Sequence, residues 1–335
     1  MNYFAYAIFG ITGLLFYNQA IAGTDKSIRD NKLKAQIEAL KREYSIAELM
    51  SALGEKPESD SSFHGSLGSN VEVEHIERED GVTEGKVKIT LAQGNFRHDD
   101  LPGWDVGFYS GREELYSGPL THADYNRGVN SINEIYANRA YNTDDGYYGW
   151  GVKLAQESLD KRTMPEVKIF GGYNISDNLT FNGYGLYQIQ YKRNTGDFSY
   201  WEIEPGLAYK LSERSGIWLN FRYQEGLWSP KAGDQEQENE TEWFIKPGVF
   251  YNWGELSASL WGEFGEFKKN NNTNGNKIWR EKYAKYGLST NLKLNRNWSL
   301  FGEFSYKNIS FDNYGDNRRF GGYIPLLIMG VNYNF

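Results

Sequence analysis

The sequence predicts an all-β chain: a transmembrane antiparallel up-and-down β-barrel of about fourteen strands, behind a short N-terminal helical periplasmic arm. Three observations predict it, namely the pattern of the final strand, the balance of aromatic residues against overall polarity, and the sorting of connection lengths. In the final strand Tyr323, Pro325, Leu327, Met329, Val331, Tyr333 and Phe335 share one parity and therefore one face. That face is an apolar band with aromatic edges, while Asn332 and Asn334 lie on the other. Lipid outside and water inside explain both faces. The last strand of a soluble sandwich would have no reason to end on a large aromatic residue. A terminal Phe also looks like the signal that barrel-assembly machinery reads, so that machinery is an expected partner through Phe335.

The chain has 25 Tyr, 19 Phe and 10 Trp, yet it is hydrophilic on average. A packed soluble core pairs its aromatics with Leu, Ile and Val, whereas a barrel places them in girdles around a polar lumen. With 37 Gly and only 8 Pro, many strands and tight turns are accommodated. Cysteine is absent, which excludes a disulfide framework, a thiol nucleophile and a cysteine metal site. A formal charge of −8 provides no basic footprint for nucleic acid.

The elements follow in order. Residues 1–22 read as a secretory signal: an apolar run from Tyr3 to Phe16, then Ala20-Ile21-Ala22 as a small-x-small cleavage site before Gly23. Residues 23–62 form the predicted arm and linker. Leu33, Ile37, Leu40 and Tyr44 recur at helical spacing, and Ser45-Ile46-Ala47-Glu48 is a capping box for a second helix, unless one helix runs through both. Residues 63–335 are the barrel. Alternation and turn residues place strands near 65–77, 85–95, 104–111, 131–139, 147–157, 165–174 and 179–192. The remaining strands are expected near 199–210, 216–226, 241–252, 255–268, 279–292, 298–308 and 321–335. Connections after even-numbered strands are short, as at 253–254. Those after odd-numbered strands read as long and polar, as at Gly111 to Asn130 and Gly226 to Glu240. Short periplasmic turns and long external loops are the outer-membrane pattern, and an even count leaves both barrel ends periplasmic. The expected location is the outer membrane of a Gram-negative-type bacterium, with outer-membrane lipid against the apolar faces.

Parity also assigns the lumen. Trp201, Ile203, Leu207 and Tyr209 oppose Glu202 and Glu204; Ile217, Leu219, Phe221 and Tyr223 oppose Arg222; Leu300, Phe304 and Tyr306 oppose Glu303. The candidate pore-lining residues are Glu202, Glu204, Arg222, Lys246, Glu263, Glu303 and Lys168. Charges of both signs predict a polar lining with modest ion preference.

From about Met164 onward the chain resembles the monomeric outer-membrane porin G family. The resemblance lies in Pro165-Glu166-Val167, in Asp177-Asn178-Leu179-Thr180-Phe181-Asn182-Gly183, and in Glu204 with Gly206-Leu207-Ala208-Tyr209. It continues in Glu225-Gly226 and in the terminal Gly330-Val331-Asn332-Tyr333-Asn334-Phe335. It implies a fourteen-stranded monomeric channel that passes small hydrophilic solutes, including ions, sugars and oligosaccharides, without tight specificity.

Two other function classes compete with a channel. An outer-membrane receptor or adhesin would act through the external loops. A membrane hydrolase would need a base, and the histidines are His64, His75, His98 and His122, with His75 and His122 nearest the loop end. Neither His64 nor His98 stands against a nucleophile in a recognisable arrangement, and His75 and His122 have no evident partner. No metal-ligand spacing or cofactor motif appears, so neither a cofactor nor an enzymatic activity is expected.

Overall fold

In a computed structural model, described over residues 63–118, 124–159, 161–192, 196–230, 236–315 and 317–335, fourteen strands close into one barrel. They are β1 (Phe63–Arg78), β2 (Thr83–His98), β3 (Trp104–Ser117), β4 (Asp124–Asn142), β5 (Gly146–Glu157), β6 (Arg162–Asn174) and β7 (Leu179–Lys192). There follow β8 (Gly196–Lys210), β9 (Ser215–Pro230), β10 (Glu238–Asn252), β11 (Leu256–Asn271), β12 (Lys277–Lys293), β13 (Trp298–Asn313) and β14 (Arg318–Asn334). The predicted signal sequence and helical arm lie outside the described residues. Among the described residues no helix is long and apolar enough to cross a membrane.

Each strand pairs antiparallel with its sequence neighbours, and β14 returns to β1 in a register that sets Val71 opposite Met329 and Glu72 opposite Ile328. Closure leaves no strand edge, so every backbone ladder is satisfied within the sheet; hydrocarbon, which offers no hydrogen bonds, requires this. At the seam the chain end is fastened on both sides, with Gly65 N donating to Phe335 O and Phe335 N to Gly65 O, each at 3.1 Å.

The short turns are built from side chains that replace missing backbone partners. Asn252 Oδ1 accepts from Gly254 N at 2.8 Å in the β10–β11 turn, and Gly254 takes the positive φ of +103° that a tight reversal needs. Asn295 Oδ1 accepts from Asn297 N and Trp298 N, both at 2.9 Å, between β12 and β13.

The loop-length expectation requires correction. The segment Gly111 to Asn130 is largely strand, since β3 runs on to Ser117 and β4 begins at Asp124. Likewise Gly226 to Glu240 shrinks to the connection 231–237, and Lys268 to Ile278 to 272–276. Strands therefore reach 12 to 19 residues, beyond the roughly 9–11 that a tilted crossing needs, and the excess stands on the loop side. The physical reason is that a polar stretch above the membrane has water on both faces. It shows no alternation, yet its backbone still gains ladder partners from the neighbouring strand.

The two faces match the expected parity. Val167 and Ile169 on β6 are exposed, as are Trp201, Ile203, Leu207 and Tyr209 on β8 and Leu260 on β11, while Glu202 and Arg222 on adjacent strands are only 2% and 1% exposed. Loop-side aromatics gather at the upper edge of the apolar band: the rings of Trp201 and Tyr223 lie 5.2 Å apart and those of Tyr306 and Tyr323 stack at 5.7 Å. Such a girdle is where amphipathic rings meet headgroups.

Candidate functional site

The inner wall has two differently built levels. In the turn-side half, inward aromatic rings lie on the inward glycine directly opposite. Trp218 faces Gly248, Phe250 faces Gly216, Trp261 faces Gly287 and Phe301 faces Gly330. A Cβ added to Gly248 would come within 2.3 Å of the Trp218 ring, and one on Gly287 within 2.2 Å of Trp261. Only a residue without a side chain lets the rings lie flat on the wall. Tyr147 over Gly172 and Phe170 over Gly149 continue the pattern on β5 and β6.

At mid-depth the wall becomes a belt of charges tied to one another. Arg222 on β9 donates through Nη2 to Glu202 on β8 and to Gln224 Oε1 at 2.5 Å, while its Nη1 lies 3.8 Å from Glu242 on β10. Its guanidinium also sits 5.6 Å from the Phe244 ring centre. The Tyr184 hydroxyl on β7 stands between two carboxylates, donating to Glu202 and lying 3.0 Å from Glu204 Oε2. Asn220 Nδ2 donates to the other oxygen of Glu204 at 2.8 Å. These contacts hold long side chains against the wall, so that the charge is fixed in space instead of sweeping the lumen.

Of the seven expected lining residues, Glu202, Glu204 and Arg222 therefore belong to one network. Lys246 and Glu263 form the next pair, at 3.4 Å, with the Lys246 ammonium 4.1 Å from the Trp261 ring centre. Glu303 is separate, accepting from Ser289 at 3.1 Å. Lys168 lies on β6, 5.5 Å from the Phe170 ring centre. On the same side of the barrel Glu166 pairs with Lys153 at 2.8 Å and accepts from Gln188 at 2.8 Å. Around β1–β3, Lys86 reaches Glu113 at 3.4 Å and both Glu72 and Glu74 at 4.0 Å.

Sequence reasoning missed three parts of this wall. Tyr184 and Gln224 are uncharged, but their inward parity would have found them. Glu113 was hidden because its segment read as a loop. Finally, Ile324, Leu326 and Ile328 are buried on the inner side of β14 and interrupt the charged belt, where only a polar reverse face near Asn332 and Asn334 had been read.

His75 also departs from expectation, since it has partners: Nδ1 lies 3.0 Å from the Tyr116 hydroxyl and Nε2 lies 3.1 Å from Glu77. That hydroxyl donates to the Glu74 carbonyl at 3.1 Å, so the cluster clips strands together. His122 lies outside the described residues. Among the described residues no group of His, Cys, Asp and Glu is arranged to hold a metal ion.

Comparison with known proteins fits this architecture. The model of the OMPG-porin 1 family matches residues 45–335, well beyond the segment in which the resemblance was read. The chain belongs to that family. It is thus a porin, a channel protein of the outer membrane. No curated protein matches the chain. Among solved structures it is similar to OmpT, an outer membrane protein of Vibrio cholerae, at 11% identity over 83% of this chain and 99% of that one, with a TM-score of 0.42. It is similar to the P. putida toluene transporter TodX at 10% identity over 82% and 90% of the two chains, with a TM-score of 0.46. An anion-selective porin from Comamonas acidovorans is 10% identical over 82% of this chain and 100% of its own, with a TM-score of 0.39.

Proposed function

We propose that this porin lets small hydrophilic solutes, namely ions, sugars and short oligosaccharides, diffuse passively through a single water-filled bore. The observation that carries the reading is the mid-depth belt on the inner wall of a closed barrel, where Glu202, Glu204, Arg222, Lys246 and Glu263 bind one another across strands. Eight-stranded barrels fill with side chains and sixteen-stranded ones leave an aqueous channel, and fourteen lies near the open end of that range. A wide bore lets a solute keep its hydration, so selection rests on size and on the field of the lining. Because both signs of charge are present and most are paired, the ion preference should be modest.

The same reading has the chain exported with residues 1–22 removed, both barrel ends periplasmic, and Phe335 presented to the assembly machinery. A barrel that satisfies all its own edges has no need of a second chain, which supports a monomer. On this reading the protein is a conduit and not an enzyme.

The test is recording from purified, folded protein in planar bilayers with a panel of salts and sugars. Steady ohmic conductance, reduced in steps as sugar size rises, is the expected result. Silence in the full chain and also after removal of residues 23–62 would move the assignment to a receptor or a membrane enzyme.

A further inference from the structure

The β11–β12 hairpin is irregular at its loop-side end. Lys269 stands opposite Trp279, but Asn270 stands opposite Lys277, so the ladder slips by one residue there. Such a bulge re-aims side chains where pairing ends. Beside it the tops of β10, β11 and β12 and the β13–β14 connection border a cavity of about 560 Å³, within the range of small-molecule sites. The turn along one side is fixed: Asn271 Oδ1 accepts from Thr273 N at 2.9 Å and Asn274 N at 3.2 Å, and Asn272 N donates to Gln237 O at 2.7 Å. Tyr314 lines another side, held by its N–H donating to Ile278 O at 3.0 Å. Two lining cations are spent, since Lys268 and Arg280 both bind Glu266, each at 2.5 Å. Other lining groups are left over. Among the described residues the half-buried Asn270 amide and the Trp279 indole N–H have no hydrogen-bond partner, and the Lys277 ammonium has no carboxylate, lying 5.6 Å from the Tyr314 ring centre. Trp279 has the inward parity of Glu281 and meets Phe267 and Phe311 edge to face, with ring centres 6.3 and 5.2 Å apart. It is nevertheless 39% exposed, so part of its ring stays open at the mouth of the bore.

We propose that this rim cavity binds a saccharide unit through Trp279, Asn270 and Lys277, as an entry subsite for the sugars that the channel passes; as an entry subsite it rests on the channel reading. A pyranose ring presents an apolar C–H face and a rim of hydroxyls, each of which both donates and accepts. The open surface of Trp279 takes the face. The Asn270 amide also donates and accepts, and with the N–H donors of Lys277 and Trp279 it matches the hydroxyls. A simple anion fits less well, because Asn270 Oδ1 can only accept and an anion has no apolar face to lay on the ring. The fixed turn and the closed ladders around the cavity keep these groups in place before the sugar arrives, which lowers the cost of ordering on binding.

The test is saturation-transfer NMR on the folded full-length protein in detergent, titrated with maltotriose. Sorbitol, which has hydroxyls but no ring, and inorganic sulfate form the comparison arms. Trp279→Ala should raise the half-saturating concentration of maltotriose about tenfold, and Trp279→Phe should keep most of the affinity. Asn270→Ala, which removes an amide that no described residue uses, should weaken binding severalfold. Lys293→Ala, at the turn-side end of β12, should not change it. Unaltered binding in both the Trp279→Ala and Asn270→Ala variants, or equal binding of sorbitol, would overturn the site. Displacement of maltotriose by an equal concentration of sulfate would overturn its assignment to sugar. Planar-bilayer recording without sugar keeps the two readings apart. A protein that conducts but does not bind maltotriose would overturn the subsite alone, whereas one that binds it and stays silent would overturn the channel.

Discussion

In the turn-side half of the lumen Trp218 and Trp261 rest on Gly248 and Gly287; farther up the same strands Arg222 and Glu263 join a web of charges. One wall is thus held in two ways. The lower level relies on ring-to-backbone contact, which is indifferent to salt and depends on the absence of a side chain opposite. The upper level relies on ion pairs and hydrogen bonds, each of which leaves its partner stranded if removed. The difference separates a level that sets the width of the bore from one that sets its field.

The largest expected effect lies in the upper level. Arg222→Ala leaves Glu202 without its cation and should destabilise the folded barrel by about 3–5 kcal/mol in a denaturant titration. Adding Glu202→Leu should restore much of that loss, because no buried charge then remains unpaired. Additive losses would mean that the pair is solvated and the two levels differ less than described. Next comes the lower level. Gly248→Val drives a side chain into the Trp218 ring and should lower stability by roughly 1–3 kcal/mol, with the cation-to-anion permeability ratio unchanged. A selectivity change there would break the division of roles.

The third effect is electrical. Glu202→Gln with Glu204→Gln removes negative charge from the belt and should shift reversal potentials toward anions at low salt. The shift should shrink toward zero near 1 M salt, where screening acts within about 3 Å. The smallest effect sharpens the contrast from the other side: Trp218→Ala should raise conductance modestly, by widening the turn-side half, and leave reversal potentials where they were.

How far these features were legible in the sequence depended on whether they were local. On β8 and β9 the alternation of Trp201, Ile203 and Leu207 with Glu202 and Glu204, and of Ile217, Leu219 and Phe221 with Arg222, placed each residue on the correct face. A strand's period of two is a property of the chain itself. The stretch Gly111-Arg112-Glu113-Glu114-Leu115-Tyr116-Ser117 reads as a loop because the consecutive charges Arg112, Glu113 and Glu114 fall on both faces, and no alternation marks such a strand.

The sequence by itself determined the number of crossings, their faces and the aromatic edges of the band, since lipid on one side and water on the other impose a pattern on every strand separately. Only the tertiary structure decided which charges meet. Arg222 joins Glu202 and Glu242 from the strands on either side, and Tyr184 stands between Glu202 and Glu204 from a third strand. It also decided that rings from one strand rest on glycines of the next. Those contacts depend on the registers between neighbouring strands, and a register is fixed only when the ladders close around the barrel.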